Sequence, residues 1–307
     1  MCALTVLADS VMSPVYTLPL VLCALVMCYL QVRHPLRDWK KLGKCQKVIQ
    51  HSSRAGGYVG VAVNSEGLLA VTDSENRCIH LLRKDGSLVR STGKAVIGCG
   101  LAFDLKGNIW VTNWSNNKVL KLLQDGQLPQ TIDHAGSESD HFINPLGVSV
   151  SPEGLIYICD SGNHRVTVHD EDGKFLFTFG SEGSGPECFN KPRGVACGSD
   201  GLVYVTDQVN ERVCVWSKQG TFVRCFKTEL RPYFAAATSD NHLLVTSRYS
   251  DAVMVYTLEG RLIHQFGGRG NDEGKFREPQ GICVGSNGLV YVGDCNRKLI
   301  QVFASVM

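Results

Sequence analysis

Residues 147–173 read GVSVSPEGLIYICDSGNHRVTVHDEDG. Short apolar runs, Leu155 to Cys159 and Val166 to Val168, are followed just past the quoted stretch by Phe175 to Phe179, bounded by the pairs Glu153-Gly154 and Asp172-Gly173. Such pairs flanked by alternating apolar residues are hairpin turn signals. The same frame restarts at Gly60, Gly100, Gly194 and Gly281, with Gly67, Gly107, Gly201 and Gly288 seven residues on, as Gly154 follows Gly147. A divergent copy puts Phe234 and Asn241 at these two places. A second turn glycine comes nineteen residues later, at Gly86, Gly126, Gly173, Gly220 and Gly260. The body of the repeat keeps one length, and all variation falls between this turn and the next anchor, which are 14 or 21 residues apart. Loops absorb such insertions and strands do not.

Three hairpin-linked strands and the short run at each anchor glycine make a four-stranded antiparallel sheet. Six such blades predict an all-β, six-bladed β-propeller. The last copy stops at Val302 and Phe303, after its third strand, which would leave an unpaired edge. Ile49 lies eleven residues before Gly60, as Val89 precedes Gly100 and Val223 precedes Phe234. The run Gln46 to Gln50 is therefore expected to supply the missing outer strand, giving a ring over 42–307 preceded by a segment 1–41.

The pattern in residues 191–216, KPRGVACGSDGLVYVTDQVNERVCVW, resembles the NHL repeat. Five copies are similar to it and the fifth blade departs, lacking both the anchor glycine and the strand-end Asp, where Ser247 stands. The resemblance extends to the C-terminal ring of tripartite-motif (TRIM-NHL) proteins. It implies a non-enzymatic protein-binding scaffold like the substrate-recognition domain of those ubiquitin ligases, with a ligase substrate or other protein as partner. The alternative it implies is single-stranded RNA binding in post-transcriptional regulation. A metal-dependent lyase or lactonase is a second alternative.

Composition narrows these options. With 31 Lys and Arg against 29 Asp and Glu, the formal charge of +2 gives no overall pull toward nucleic acid or anionic lipid. Thirteen cysteines without any C-x-x-C pair argue against RING, zinc-finger or thioredoxin chemistry. Any ubiquitin-ligase link would then run through partners or a longer isoform. The cysteines read as packing groups in a reducing, cytoplasmic setting. Val11 to Val32 is 22 residues without a charge, long enough for a single transmembrane helix. Read as a span with Arg33, Arg37, Lys40 and Lys41 following, it would anchor the protein to a membrane with the ring in the cytosol. Read otherwise, it is a loosely docked tail.

Asp73, Asp160, Asp207 and Asp294 recur at the end of the second strand, with bases following them. The expected role is structural, as ion pairs of Asp160 with Arg165, Asp207 with Arg212 and Asp294 with Lys298, rather than a calcium ring. No nucleophile elbow, phosphate loop or H-E-x-x-H occurs, so neither an enzyme nor any metal or cofactor is expected. The loops between second and third strands and those between blades share one face, here the top. Trp114, Lys118, Arg193, Arg231, Tyr233, Phe234, Arg248, Tyr249, Lys275 and Arg277 are its candidate ligand-binding residues on a monomeric ring. Acids and bases in these loops balance, which favours protein over RNA as the ligand.

Overall fold

The computed structural model describes residues 44–50, 57–92, 96–127, 130–132, 136 and 138–304. The segment 1–41, including the 11–32 stretch, lies outside them. Among the described residues no helix is long and apolar enough to cross a membrane.

The described strands form six four-stranded antiparallel sheets. Blades 1 to 5 span 58–92, 98–132, 145–179, 192–227 and 235–267, and blade 6 covers 279–303. In blade 3 the strands, from axis to rim, are Pro145–Val150, Ile156–Asp160, Arg165–His169 and Phe175–Phe179. The second strands are buried along their length, as in Ile156–Asp160, because neighbouring blades cover both of their faces. Outer strands such as Phe222–Lys227 alternate half-buried and exposed, since one face meets water. Blade 6 takes its outer strand from the start of the described chain. Cys45–Ile49 runs antiparallel to Leu299–Phe303, pairing Cys45 with Phe303 and Ile49 with Ile300.

Near the axis the six inner strands crowd together. A β-carbon added at Gly60, Gly100, Gly147, Gly194 or Gly281 would fall closer than 3.0 Å to backbone of the next blade's inner strand. Only glycine fits there. In four blades the crowded strands are also tied by a buried threonine one place before the strand-end residue. In blade 4 Thr206 Oγ1 accepts the N–H of Gly194 at 2.7 Å and donates to the carbonyl of Tyr233, in the next blade, at 2.6 Å. Thr246 does the same between Phe234 N–H, at 3.0 Å, and Gln280 carbonyl, at 2.8 Å. Thr112 bridges Gly100 and Leu146 in the same way, and Thr72 accepts from Gly60.

Blade 5 breaks the rule and shows why it exists. With Phe234 in place of the anchor glycine, its inner strand shrinks to Ala235–Ala237, half the six residues of Pro192–Cys197. Phe234 and the preceding Tyr233 are buried in one apolar cluster with Cys99 of blade 2 and Leu146 of blade 3. The expectation that Tyr233 and Phe234 present themselves to a ligand is thus corrected. Both are less than a tenth exposed, packed where the inner strands crowd together.

Replacing Thr206 by Val keeps the shape but strands the Gly194 N–H and the Tyr233 carbonyl in a buried setting. Chemical unfolding should show a loss of about 1–3 kcal/mol for Thr206→Val, against less than about 0.5 kcal/mol for an exposed control such as Ser250→Ala.

Candidate functional site

The top face is built on the strand-end carboxylates. Asp160 Oδ1 accepts the backbone N–H of Ile143 at 2.8 Å, and Oδ2 accepts Asn163 Nδ2 at 2.8 Å and Arg165 Nε at 2.9 Å. Arg165 then reaches over to the carbonyl of His141 in the connection from blade 2. Blade 4 repeats this: Asp207 accepts Asn190 N–H at 2.7 Å, Asn210 Nδ2 at 2.7 Å and Arg212 Nε at 2.8 Å, while Arg212 gathers the carbonyls of Ser184, Gly185 and Cys188. The acid and its arginine clamp a long interblade connection onto the blade. Phe142, Phe189 and Phe276, fully buried, are the apolar pins of those three connections.

Asp294 keeps the acid's role but not with the expected base. Its Oδ1 accepts the N–H of Arg277 at 2.9 Å, and Oδ2 meets Gln301 Nε2 at 3.1 Å and Arg297 Nη1 at 3.6 Å. Lys298 pairs instead with Glu75 of blade 1 at 2.9 Å. The reason is register. Lys298 has φ 57, in the left-handed turn position that Arg77, Asn117, His164, Glu211 and Asp251 fill in the other blades. The residue aligned with Arg165 and Arg212 is Leu299, which opens its strand.

The ligand-binding candidates divide by burial and pairing. Arg193 lies 4.3 Å over the Tyr233 ring, donates to its hydroxyl at 2.8 Å, and donates to Gln208 Oε1 at 2.6 Å, so it holds the pore mouth together. Lys118 is half-buried where the third strand of blade 2 begins. Lys275, though exposed, donates to the carbonyl of Gly267. Trp114 and Tyr249, in the blade 2 and blade 5 loops, are the outward-facing aromatics, 42% and 60% exposed. Tyr249 is flanked by the guanidiniums of Arg231 at 5.7 Å and Arg248 at 5.9 Å. Beside it a cleft between blades 5 and 6 is lined by Arg248, Asp251, Arg269, Arg277, Glu278 and Asn296. Arg248 is paired there with Glu278, and Arg231 with Glu211 at 3.4 Å. Sequence alone missed the threonine bridges, although their signal, Thr before the strand-end residue at 72, 112, 206 and 246, is visible in it.

The described cysteines are all free thiols. Burial pushes Cys99 and Cys197 up to about 12, which keeps them protonated packing groups. Burial also raises the Asp294 carboxyl to about 6, against the opposing pull of the Arg277 N–H and the Arg297 guanidinium.

Residues 142–168, 189–216 and 276–303 match the NHL repeat family. These are the three blades with clamped long connections. The others depart at clamp or anchor positions, with Cys78 in blade 1, Asn113 in blade 2, and Phe234 and Ser247 in blade 5. No curated protein sequence matches the chain. Among solved structures, a streptogramin B lyase is similar at 15% identity and TM-score 0.61, covering 83% of this chain and 96% of that one. The virginiamycin B lyase of Staphylococcus aureus, in a catalytically inactive form with quinupristin, is similar at 18% identity and TM-score 0.63, covering 84% of this chain and 85% of that one. A gluconolactonase from Xanthomonas campestris is similar at 15% identity and TM-score 0.67, covering 85% of this chain and 91% of that one. At these identities the likeness establishes the ring alone. It does correct the expectation that the chain is not an enzyme, because the same ring carries a lyase and a lactonase.

Because Asp294 titrates higher when folded than its ordinary 3.8, the folded state binds the extra proton. Its contribution to stability is present in full below about 3.8 and is lost as pH rises through about 6. Relative to Asp294→Asn, the native chain should therefore gain unfolding free energy as pH falls from about 6 toward 3.8, read by urea unfolding at successive pH values.

Proposed function

Since this chain is a six-bladed propeller carrying NHL repeats, we propose that its top face docks a protein partner, centred on the quadrant of blades 5 and 6. The observation that carries this reading is Tyr249, 60% exposed and held between two arginines at the lip of a cleft. A large side chain left in water at the apex of a tight turn costs apolar hydration. Tyrosine and arginine are also the residue types that dominate binding energy at protein interfaces. Arg248 is paired with Glu278 and Arg231 with Glu211, which holds both guanidiniums in place for a partner recognised by shape and hydrogen bonding. Similarity to the substrate-recognition ring of TRIM-NHL ligases makes a ubiquitin-ligase substrate one class of such partner.

Single-stranded RNA is the second reading, favoured by the same tyrosine, since a ring between two guanidiniums also accepts a stacked base. The pairing of Arg231 and Arg248 with acids weighs against it, because phosphate binding draws on excess positive charge.

Affinity capture with the full chain, with and without ribonuclease, separates the readings. The expected result is a protein partner retained after ribonuclease. Truncation by Tyr249→Ala should then weaken its binding by about 2 kcal/mol or more, roughly thirtyfold, in a titration with that partner. Capture abolished by ribonuclease would transfer the site to RNA.

A further inference from the structure

Blade 1 carries a side-chain cluster that its siblings lack. At the position where Arg165 and Arg212 clamp their loops stands Cys78, and two residues on, where the siblings have Thr167 and Cys214, stands His80. The connection entering blade 1 is of the short type, so an arginine has no long loop to gather there. The buried Asp73 instead faces a thiol and an imidazole. One ligand atom from each of Asp73, Cys78 and His80 lies within 4.8 Å of the other two. His80 Nε2 is 3.1 Å from Asp73 Oδ2 and 3.6 Å from Cys78 Sγ.

The His80–Cys78 separation of 3.6 Å is that of two coordination corners, and the 3.1 Å between His80 and Asp73 is slightly shorter than one. With metal–nitrogen and metal–oxygen bonds of about 2.0–2.1 Å and a metal–sulfur bond of about 2.3 Å, neighbouring donors of a tetrahedral ion stand roughly 3.3–3.6 Å apart. The support around the cluster points the same way. His80 Nδ1, on the far side of the ring, lies 2.8 Å from Ser91 Oγ on the adjacent outer strand, which fixes the imidazole with Nε2 toward the cluster. Asp73 is oriented in turn by the Asn76 backbone N–H at 2.9 Å and its side-chain amide at 2.8 Å. Three donors on two adjacent, paired strands are held with little freedom to lose on binding.

We propose that Asp73, Cys78 and His80 form a zinc-type site on the top rim of blade 1. Thiolate and imidazole select a borderline-soft divalent ion over calcium or magnesium, which take oxygen donors. Cys78 is the half-buried member and gives the ion its approach, while Asp73 and His80 lie deeper. On binding, the thiol proton leaves to solvent, and the imidazole proton that Nε2 shares with Asp73 moves to Nδ1, where Ser91 Oγ accepts it, so that Nε2 is free for the cation. The site is independent of the proposed partner surface around Tyr249, which belongs to another blade.

The test is a titration of the full chain, freed of metal by chelation, with cobalt(II) as a spectroscopic probe. One equivalent should give a thiolate-to-cobalt charge-transfer band with tetrahedral d–d absorption, and zinc should bleach both. Cys78→Ser should remove the charge-transfer band, and His80→Gln should weaken cobalt binding at least tenfold. Ser91→Ala, outside the donor set, should keep the band but weaken affinity by about 10–100-fold. It also covers the case in which a donor variant fails to fold. Absence of the band in the native chain, a band that persists in folded Cys78→Ser, or an affinity unmoved by Ser91→Ala would each overturn the site.

Discussion

Six inner strands can surround one axis only if each lets its neighbour's backbone come close, and here that closeness is granted by a missing β-carbon. At five anchors the glycine α-carbon faces the next blade's main chain at a distance no other residue would permit. The ring's diameter is therefore set at the level of single atoms. Threonines on the second strands of the blades convert the closeness into hydrogen bonds, since their hydroxyls satisfy one blade's N–H and the next blade's carbonyl together. Blade 5 lacks the glycine and yields a shortened strand, with Phe234 taken up in an apolar cluster.

With the radius fixed inside, the blades are free to differ outside. Three of them carry long connections that would hang loose without a tie. In each, the same carboxylate takes the N–H that follows a buried phenylalanine, and a guanidinium or amide from the third strand gathers the loop's carbonyls. A buried acid is expensive unless its oxygens are filled with donors. These are filled, by Arg165 and Asn163 in one blade and by Gln301 with Arg297 in another. The clamp thus accompanies the long connections, while the third strands of the short-loop blades open on Cys78, Lys118 and Ala252. The ring accommodates Cys78 and His80 beside Asp73, and Ser247 in blade 5.

The architecture was legible because its strongest determinants are glycines at fixed intervals, and the closing strand because a chain that ends one strand short must be completed by distance alone. The candidate site was legible only in part. Lys298 was assigned to Asp294 because a base stands near the expected offset. The left-handed turn residue just before the strand tolerates many side chains, so a basic residue there says nothing about the acid. Tyr233 and Phe234 read as loop aromatics because spacing places them in a connection. Their burial follows from axial crowding, which no local pattern encodes. Trp114 and Tyr249, by contrast, occupy short turns that leave no interior to enter, and both are exposed.

The pairing of Cys45–Ile49 with Leu299–Phe303 sets residue 45 directly across from residue 303, so the two ends of the ring leave it side by side. Tension drawn between segments attached at these ends would part the seam like a zipper, loading one pair of hydrogen bonds at a time rather than all of them in shear. The last blade is thereby the mechanical fuse of the molecule: force opens it first, while the remaining blades, each stitched from consecutive chain, stay intact. Adjacent ends also let the ring hang as a pendant from a longer polypeptide, interrupting its path by little more than the width of two strands.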